Sequence, residues 1–430
     1  MLMTDIIEKK RDKHPLDDKE LEFFVSGVTD KSIPDYQISA LLMAILLNGM
    51  DRRETLTLTT LMAKSGDMLD LSDLSHTADK HSTGGVGDKT TLAVAPIAAA
   101  LGCTVAKMSG RGLGFTGGTV DKLESITGYK TALDTAEFKK IAREHGMCVT
   151  GQSGNFAPAD KRLYAIRDVT ATVNSIPLIA SSIMSKKLAA GAETIVLDVK
   201  FGSGAFMKTA EDAEILAREM VEIGKGAGRK TAAVITDMDV PLGYAVGNAL
   251  EVKEAVRVLK GEGEKNLTSL CILLAAKMYQ ISFDKTEEES IAAARRVTAD
   301  GIAFKRLCAA VKAQGGNEKL LTGEHKFPAA AQTELTAEKD GYITAMNSET
   351  VGKAAVMTGA GRERLGDSID YSAGIILSKK YGDYVQKGER LATLYGAPER
   401  LQNARERLAD AYSIGESKPS DKPIVYKVID

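Results

Sequence analysis

Three clusters in this 430-residue chain carry side chains suited to chemistry. The first is KHSTGGVGDKTT, residues 80–91. Glycines at 84, 85 and 87 let backbone N–H groups approach an anion closely, and Lys80, Ser82 and Thr91 add charge and hydroxyl donors. A helix predicted to begin just after would turn its N-terminus toward negative charge. Asp88 stands where a Walker A loop needs the glycine before Lys89-Thr90, so the segment is not one. A tight turn with solvated polar groups is its other reading.

The second cluster, KMSGRGLGFTGGTVDKLE at residues 107–124, holds five glycines, the cations Lys107 and Arg111, and the hydroxyls of Ser109 and Thr119. Within it GLGFTG, residues 112–117, is a formal GxGxxG, for which a dinucleotide fold is the default. The unit follows an earlier strand and helix instead of opening a domain, and only Asp134 is a loose candidate for a ribose acid. A nicotinamide-dependent oxidoreductase is therefore the rival from another class, and titration with NAD or NADP separates it.

The third cluster pairs two predicted helices. Asp160, Tyr164 and Arg167 are spaced i, i+4, i+7 on one face, and Ser182 and Lys186 are spaced i, i+4 on the helix that follows Pro177. A guanidinium, an ammonium and hydroxyls turned to one cleft suit a planar heterocycle with carbonyl oxygens and a ring N–H. Two ordinary solvated helix faces are the alternative.

The elements that must position these groups are legible in outline. The first 65 residues read as helices. Ser32-Ile33-Pro34-Asp35 has the form of an N-terminal cap, Ile38, Leu41, Leu42 and Ile45 make one apolar stripe, and a second helix over residues 51–64 stops at Gly66. From about residue 70, CTVAKMS, TIVLDVK and TAAVITDM each precede a glycine-bearing loop and a helix, the pattern of an α/β domain with a mainly parallel sheet. Ligands gather at the carboxyl ends of such strands, where these loops lie.

Residues 158–190 interrupt that pattern and are expected to pack with residues 1–66 as a small discontinuous α-helical domain. Residues 70–155 and 191–335 then form the larger α/β domain, with hinges near 66–70, 154–160 and 188–193. Short alternating runs after about 335 predict a β-rich C-terminal α+β domain over 340–430, with a helix over 397–411.

Composition narrows the function class. A net charge of −2 gives no broad field for nucleic acid or a membrane surface, and the longest apolar run, residues 41–47, is too short to span a bilayer. The N-terminus has acids among its bases and no cleavable apolar core, so it does not read as a signal peptide. Cys103, Cys148, Cys271 and Cys308 show no CxxC and read as free thiols of a cytoplasmic protein. The histidines His14, His76, His81, His145 and His325 have no metal-ligand spacing.

Taken together, the clusters resemble the thymidine/pyrimidine-nucleoside phosphorylase family over nearly the whole chain. SGRGLGFTGGTVDKLE, residues 109–124, fits the family signature, and KHSTGGVGD and RLYAIRDVTATVNSIPLIASSIMSKK, residues 162–187, agree in order and spacing. The resemblance implies a small α domain and a larger α/β domain flanking a cleft, with a C-terminal part similar to barrel-sandwich domains. It implies phosphorolysis of uridine, thymidine and deoxyuridine, no organic cofactor, inorganic phosphate as co-substrate and a homodimer.

By the same resemblance Lys80, Ser82, Thr91, Lys107, Ser109 and Thr119 would serve phosphate, and Arg167, Ser182 and Lys186 would hold the base. His81 and Tyr164 would line the base and sugar region, with Leu113, Val173, Ile179 and Phe206 as apolar walls. His81, Arg167 and Lys186 would be catalytic, with His81 giving a hydrogen bond or a proton to a base carbonyl.

A potassium ion would take backbone carbonyls from Gly87, Lys89, Leu242 and Ala245 and the carboxylate of Glu254. Lys89 stands where close relatives have threonine, a change that keeps the carbonyl and brings in an ammonium. Lys107 replaces the methionine of strict thymidine phosphorylases and matches the broader pyrimidine enzymes, and Phe115 replaces a common histidine. A phosphoribosyltransferase of related fold is the nearest rival. It would need magnesium and a phosphoribosyl pyrophosphate site, and no acidic pair beside a glycine loop obviously supplies one.

Overall fold

The structure is a computed structural model that describes every residue except Leu113, Ser153, Ala329 and Leu365. Four helices come first: α1 (Met3–Arg11), α2 (Asp18–Thr29), α3 (Asp35–Asn48) and α4 (Arg52–Lys64). The expected stripe on α3 is buried, together with Phe24 and Leu58, at roughly 1.5–3 kcal/mol for each fully buried large side chain. The cap expected from Ser32 does not form. Pro34 is the N-cap of α3 without a side-chain bond, and the Ser32 N–H donates instead to Asp30 Oδ1 at 2.8 Å. At α4 the Asp51 carboxylate and Glu54 close a full capping box.

The alternating region follows as β1 (Ala78–Ser82), α5 (Thr90–Ala100), β2 (Val105–Ser109), α6 (Thr119–Glu124), α7 (Thr135–His145) and β3 (Met147–Gly151). Then come α8 (Pro158–Val169) and α9 (Ile176–Ala189), followed by β4 (Thr194–Phe201), α10 (Ala210–Gly226) and β5 (Lys230–Asp237). β1, β4 and β5 pair in parallel, and β2 pairs in parallel with β3. A single bridge, Thr77 to Thr104, links β1 to β2, so all five strands end on one side. α5 is apolar all round and is buried accordingly, packed on three later helices (Asn248–Leu259, Lys265–Phe283 and Ile302–Ala313) as well as on the strands.

α8 and α9 return to the N-terminal helices. Ala159, Leu163, Ile166 and Leu178 join the core of α1–α4, whereas Ile179, Ala180 and Met184 of α9 pack on β4 and α10. α9 therefore lies between the helical layer and the sheet. The crossing segments are stitched together: Asp67 N–H donates to Asn155 O at 3.0 Å and Leu69 N–H to Ala189 O at 2.8 Å.

The remaining elements are β6 (Ala245–Val246), α11 (Asn248–Leu259), α12 (Lys265–Phe283), α13 (Glu287–Ala299), α14 (Ile302–Ala313), α15 (Lys319–Thr322), β7 (Ala331–Thr336), β8 (Gly341–Met346) and α16 (Ser348–Ala355). They end with β9 (Gly374–Leu377), β10 (Tyr384–Val385), β11 (Arg390–Gly396), α17 (Pro398–Ala409), β12 (Tyr412–Gly415) and β13 (Val425–Ile429). The C-terminal region is β-rich, in two small sheets ordered β10-β8-β12 and β6-β9-β11-β7. Sequence reading gave it all of residues 340–430, but β13 leaves it and pairs antiparallel with β5 in the large sheet. β6, in turn, pairs with β9, so the two parts exchange strands.

Candidate active site

β1 carries His81 and Ser82, and β2 carries Lys107 and Ser109, to the carboxyl end of the sheet. The loops that follow run into α5 and α6 and enclose a cavity of about 220 Å³. Ser82, Thr91, Lys107, Ser109 and Thr119 line it, as do His81 and Lys186. The second loop folds back on itself so tightly that a Cβ on Gly118 would run into the backbone of Arg111 and Gly112. Arg111 also faces this cavity, but its guanidinium is held by Glu124 at 2.6 and 2.7 Å and by Asp121 at 3.1 Å.

Buried charges set the electrostatics. Asp79 takes Lys107 Nζ at 3.1 Å on one oxygen and Lys187 Nζ at 2.7 Å on the other. Burial alone would raise the Asp79 carboxyl, but the two ammoniums outweigh it and hold it well below the ordinary range. Lys107 is pushed down to about 8, first by burial and then by Lys187, with Asp79 pulling the other way. His81 is lowered well below the usual imidazole value by burial and by Lys187 and Lys107. A shift in that direction favours the neutral imidazole, the form in which a ring N–H serves as a hydrogen-bond donor.

Lys80 departs from expectation. It does not line the cavity; its buried ammonium contacts Asp198 Oδ2 at 3.1 Å and the Thr90 hydroxyl. Burial opposes its charge, but Asp88 and Asp198 together raise its pKa. Both partners lie in the layer beneath the loops.

A second cavity, of about 180 Å³, is bounded by Tyr164, Arg167, Val173, Ile179, Ser182 and Phe206. Arg167 is buried, and it donates to the carbonyls of Leu178 at 3.0 Å, Val173 at 2.7 Å and Thr172 at 3.3 Å, which fix the plane of the fork. Lys186 joins the two spaces: its Nζ lies 3.4 Å from Ser182 Oγ in the second cavity while the side chain lines the first. Leu113, the other expected wall, lies outside the described residues. Phe115 turns away, packing against Gly352 in the C-terminal core.

The carbonyl and carboxylate groups expected around a potassium ion do converge, but on a different cation. Lys89 Nζ donates to Leu242 O at 2.7 Å, Ala245 O at 2.8 Å and Glu254 Oε2 at 2.6 Å, while the Gly87 carbonyl accepts from the Lys89 backbone N–H at 3.0 Å. An ammonium already holds the place, so the residues present do not fit a potassium ion.

Residues 74–304 match the family described as "Glycosyl transferase family, a/b domain", and residues 4–66 match its helical bundle domain. Residues 342–415 match "Pyrimidine nucleoside phosphorylase C-terminal domain". The chain is 50% identical over 435 residues to the pyrimidine-nucleoside phosphorylase of Staphylococcus epidermidis (strain ATCC 12228 / FDA PCI 1200), covering 100% of both. The chain belongs to the pyrimidine-nucleoside phosphorylase family. The corresponding protein of Staphylococcus aureus (strain USA300) is also 50% identical, over 432 residues and 100% of both chains. Anthranilate phosphoribosyltransferase of Thermus thermophilus shares the family fold at a TM-score of 0.58 and 20% identity, covering 72% of this chain and 98% of that one.

Several residues of the site escaped sequence reasoning. Asp79 and Lys187 hold Lys107 in place, and Thr83, Ile183, Met207 and Leu216 complete the second cavity. The available signal for the first two was charge inside buried elements: ADKHS is an unusually polar strand, and Lys187 sits on the sheet-facing side of α9.

Proposed function

We propose that the protein is a pentosyltransferase that catalyses reversible phosphorolysis of uridine, thymidine and deoxyuridine, with inorganic phosphate as co-substrate and no organic cofactor. Phosphate is held by Ser82, Thr91, Lys107, Ser109 and Thr119, and the base by Arg167, Ser182 and Lys186, with Tyr164, Val173, Ile179 and Phe206 around base and sugar. The observation that carries this reading is Lys186, a cation standing where the oxyanion cradle and the second cavity adjoin.

In the step proposed, a phosphate oxygen attacks the anomeric carbon from the face opposite the base. The carbon–nitrogen bond breaks, and its electron pair leaves with the pyrimidine. Arg167 and Lys186 stabilise that anion, and a His81 N–H gives a hydrogen bond to a base carbonyl. The base then takes a proton from water, and the products are the free base and the inverted α-sugar 1-phosphate. Closure about the stitched segments near residues 66–69, 155 and 189 would exclude water.

The same reading includes a homodimer formed through the helical layer. Tyr36, Met43 and Leu47 are exposed apolar residues on one side of α3, and Met1 and Leu2 are exposed beside α1. It places the protein in the cytoplasm, which four unpaired thiols support. Potassium is not part of it, since the expected ligands are taken by Lys89.

The test is incubation with uridine, thymidine or deoxyuridine, with and without phosphate and with and without magnesium. Free base and sugar 1-phosphate should form only when phosphate is present. Base release that needs magnesium, or none at all with any of the three nucleosides, refutes the reading.

A further inference from the structure

Lys89 is wholly buried at the junction of the phosphate loop and α5, between Asp88 and Thr90. Its ammonium has three N–H bonds and three acceptors: two backbone carbonyls from the turn before and within β6, and one carboxylate oxygen from α11. The carboxylate is itself built into that turn. Glu254 Oε1 accepts from Tyr244 N–H at 2.7 Å, and Oε2 accepts from Ala245 N–H at 2.9 Å. The turn leads directly into β6, which pairs with β9 of the C-terminal region. One positive charge therefore ties together the first turn of the anion cradle, the α11 helix and the strand that joins the two parts of the molecule.

An inward-turned oxygen cage around a single charge is what a protein builds for a monovalent cation, and an ammonium group has the charge and about the size of one. A free cation entering beside Lys89 would meet a like charge in a buried setting, where repulsion is poorly screened. We propose that Lys89 is a covalently tethered replacement for a bound monovalent cation, so that the cradle of this chain is ordered without potassium, whereas the threonine implied by the family resemblance would leave the cage open for it.

The experiment uses full-length protein freed of potassium, sodium and ammonium, with melting temperature as the primary readout in potassium chloride against choline chloride at equal ionic strength. That readout does not depend on the phosphorylase assignment, so failure of one is distinguishable from failure of the other. The unaltered protein should melt within about 1 °C in the two salts, a margin well below the several degrees that losing a bound stabilising ligand produces. Lys89→Thr should melt lower in choline and recover saturably with potassium. Lys89→Met, which fills the cage without a charge, should melt lower in both salts and recover in neither.

A specific rise of several degrees for the unaltered protein in potassium overturns the proposal. So does a folded Lys89→Thr that ignores potassium. If Lys89→Thr folds only in potassium, the proposal stands. If it folds in neither salt, the unaltered protein decides alone, with insensitivity supporting the tether and a potassium response overturning it.

Discussion

Lys186 Nζ lies 2.7 Å from Asp160 Oδ2, an ion pair that bridges α9 to α8 with the carboxylate buried and the lysine partly exposed. Among the described residues the other carboxylate oxygen, Oδ1, is buried with no hydrogen-bond partner. The pair aims the ammonium along the seam between the two cavities and keeps it from folding out into solvent. In the proposed mechanism Asp160 is thus a positioning residue, holding the cation assigned to the departing base.

Lys186→Ala should therefore lower kcat by roughly 10²–10³-fold, the usual cost of removing one donor to a developing anion, while phosphate still binds in calorimetry. Asp160→Asn should lower kcat less and leave KM for phosphate nearly unchanged, because the lysine remains but loses its anchor. Normal turnover in Lys186→Ala would remove the residue from the mechanism.

The Lys107 and His81 environments fix the pH behaviour. Lys107 is held at about 8 against an ordinary 10.5, so its charge is complete below that point and lost as pH rises through it. KM for phosphate should rise above pH 8, and Lys107→Met should abolish that rise at the cost of weaker binding throughout. Folding stability moves oppositely for this group. Between about 8 and 10.5 the unfolded chain keeps a proton that the folded one has released, so the contribution of Lys107 to stability increases with pH in that window. Because burial and the neighbouring ammoniums hold His81 well below the usual imidazole value, kcat should show no imidazole limb near 6.5. His81→Asn, which keeps an N–H donor, should retain more activity than His81→Ala.

Much of this was legible in the sequence because it rested on local rules. Glycine loops after short apolar runs located both halves of the cradle, and helical spacing put Arg167 and Lys186 on neighbouring helices. Partnerships between segments far apart in the chain were not legible. Nothing local says that Lys80 is claimed by Asp198, that Lys107 and Lys187 share Asp79, or that the Lys89 ammonium itself fills the oxygen cage the family resemblance implies for an ion. Each is a buried charge satisfied across elements, and its geometry exists only after the sheet has formed. β13 was missed for a similar reason: a short run with Tyr426 and Lys427 outward becomes a strand because β5 offers an open edge.

The stitched crossing offers a test of whether the two parts of the molecule move as the mechanism needs. Gly66 follows α4 and abuts the segment that leads into α8; a Cβ there would collide with the Asn155 carbonyl oxygen and crowd Pro158. The same segments are held by Asn155 N–H to Asp67 Oδ2 at 2.9 Å. Gly66→Ala must push the two strands of the crossing apart, at about 1–3 kcal/mol as for other overpacked sites. It should lower the melting temperature and, because it alters the angle between the helical layer and the sheet, change kcat and KM together. Hydrogen exchange should accelerate at the Asp67, Leu69 and Asn155 amides first. A variant that loses stability while keeping both kinetic constants would show that the crossing serves folding alone and that closure pivots elsewhere.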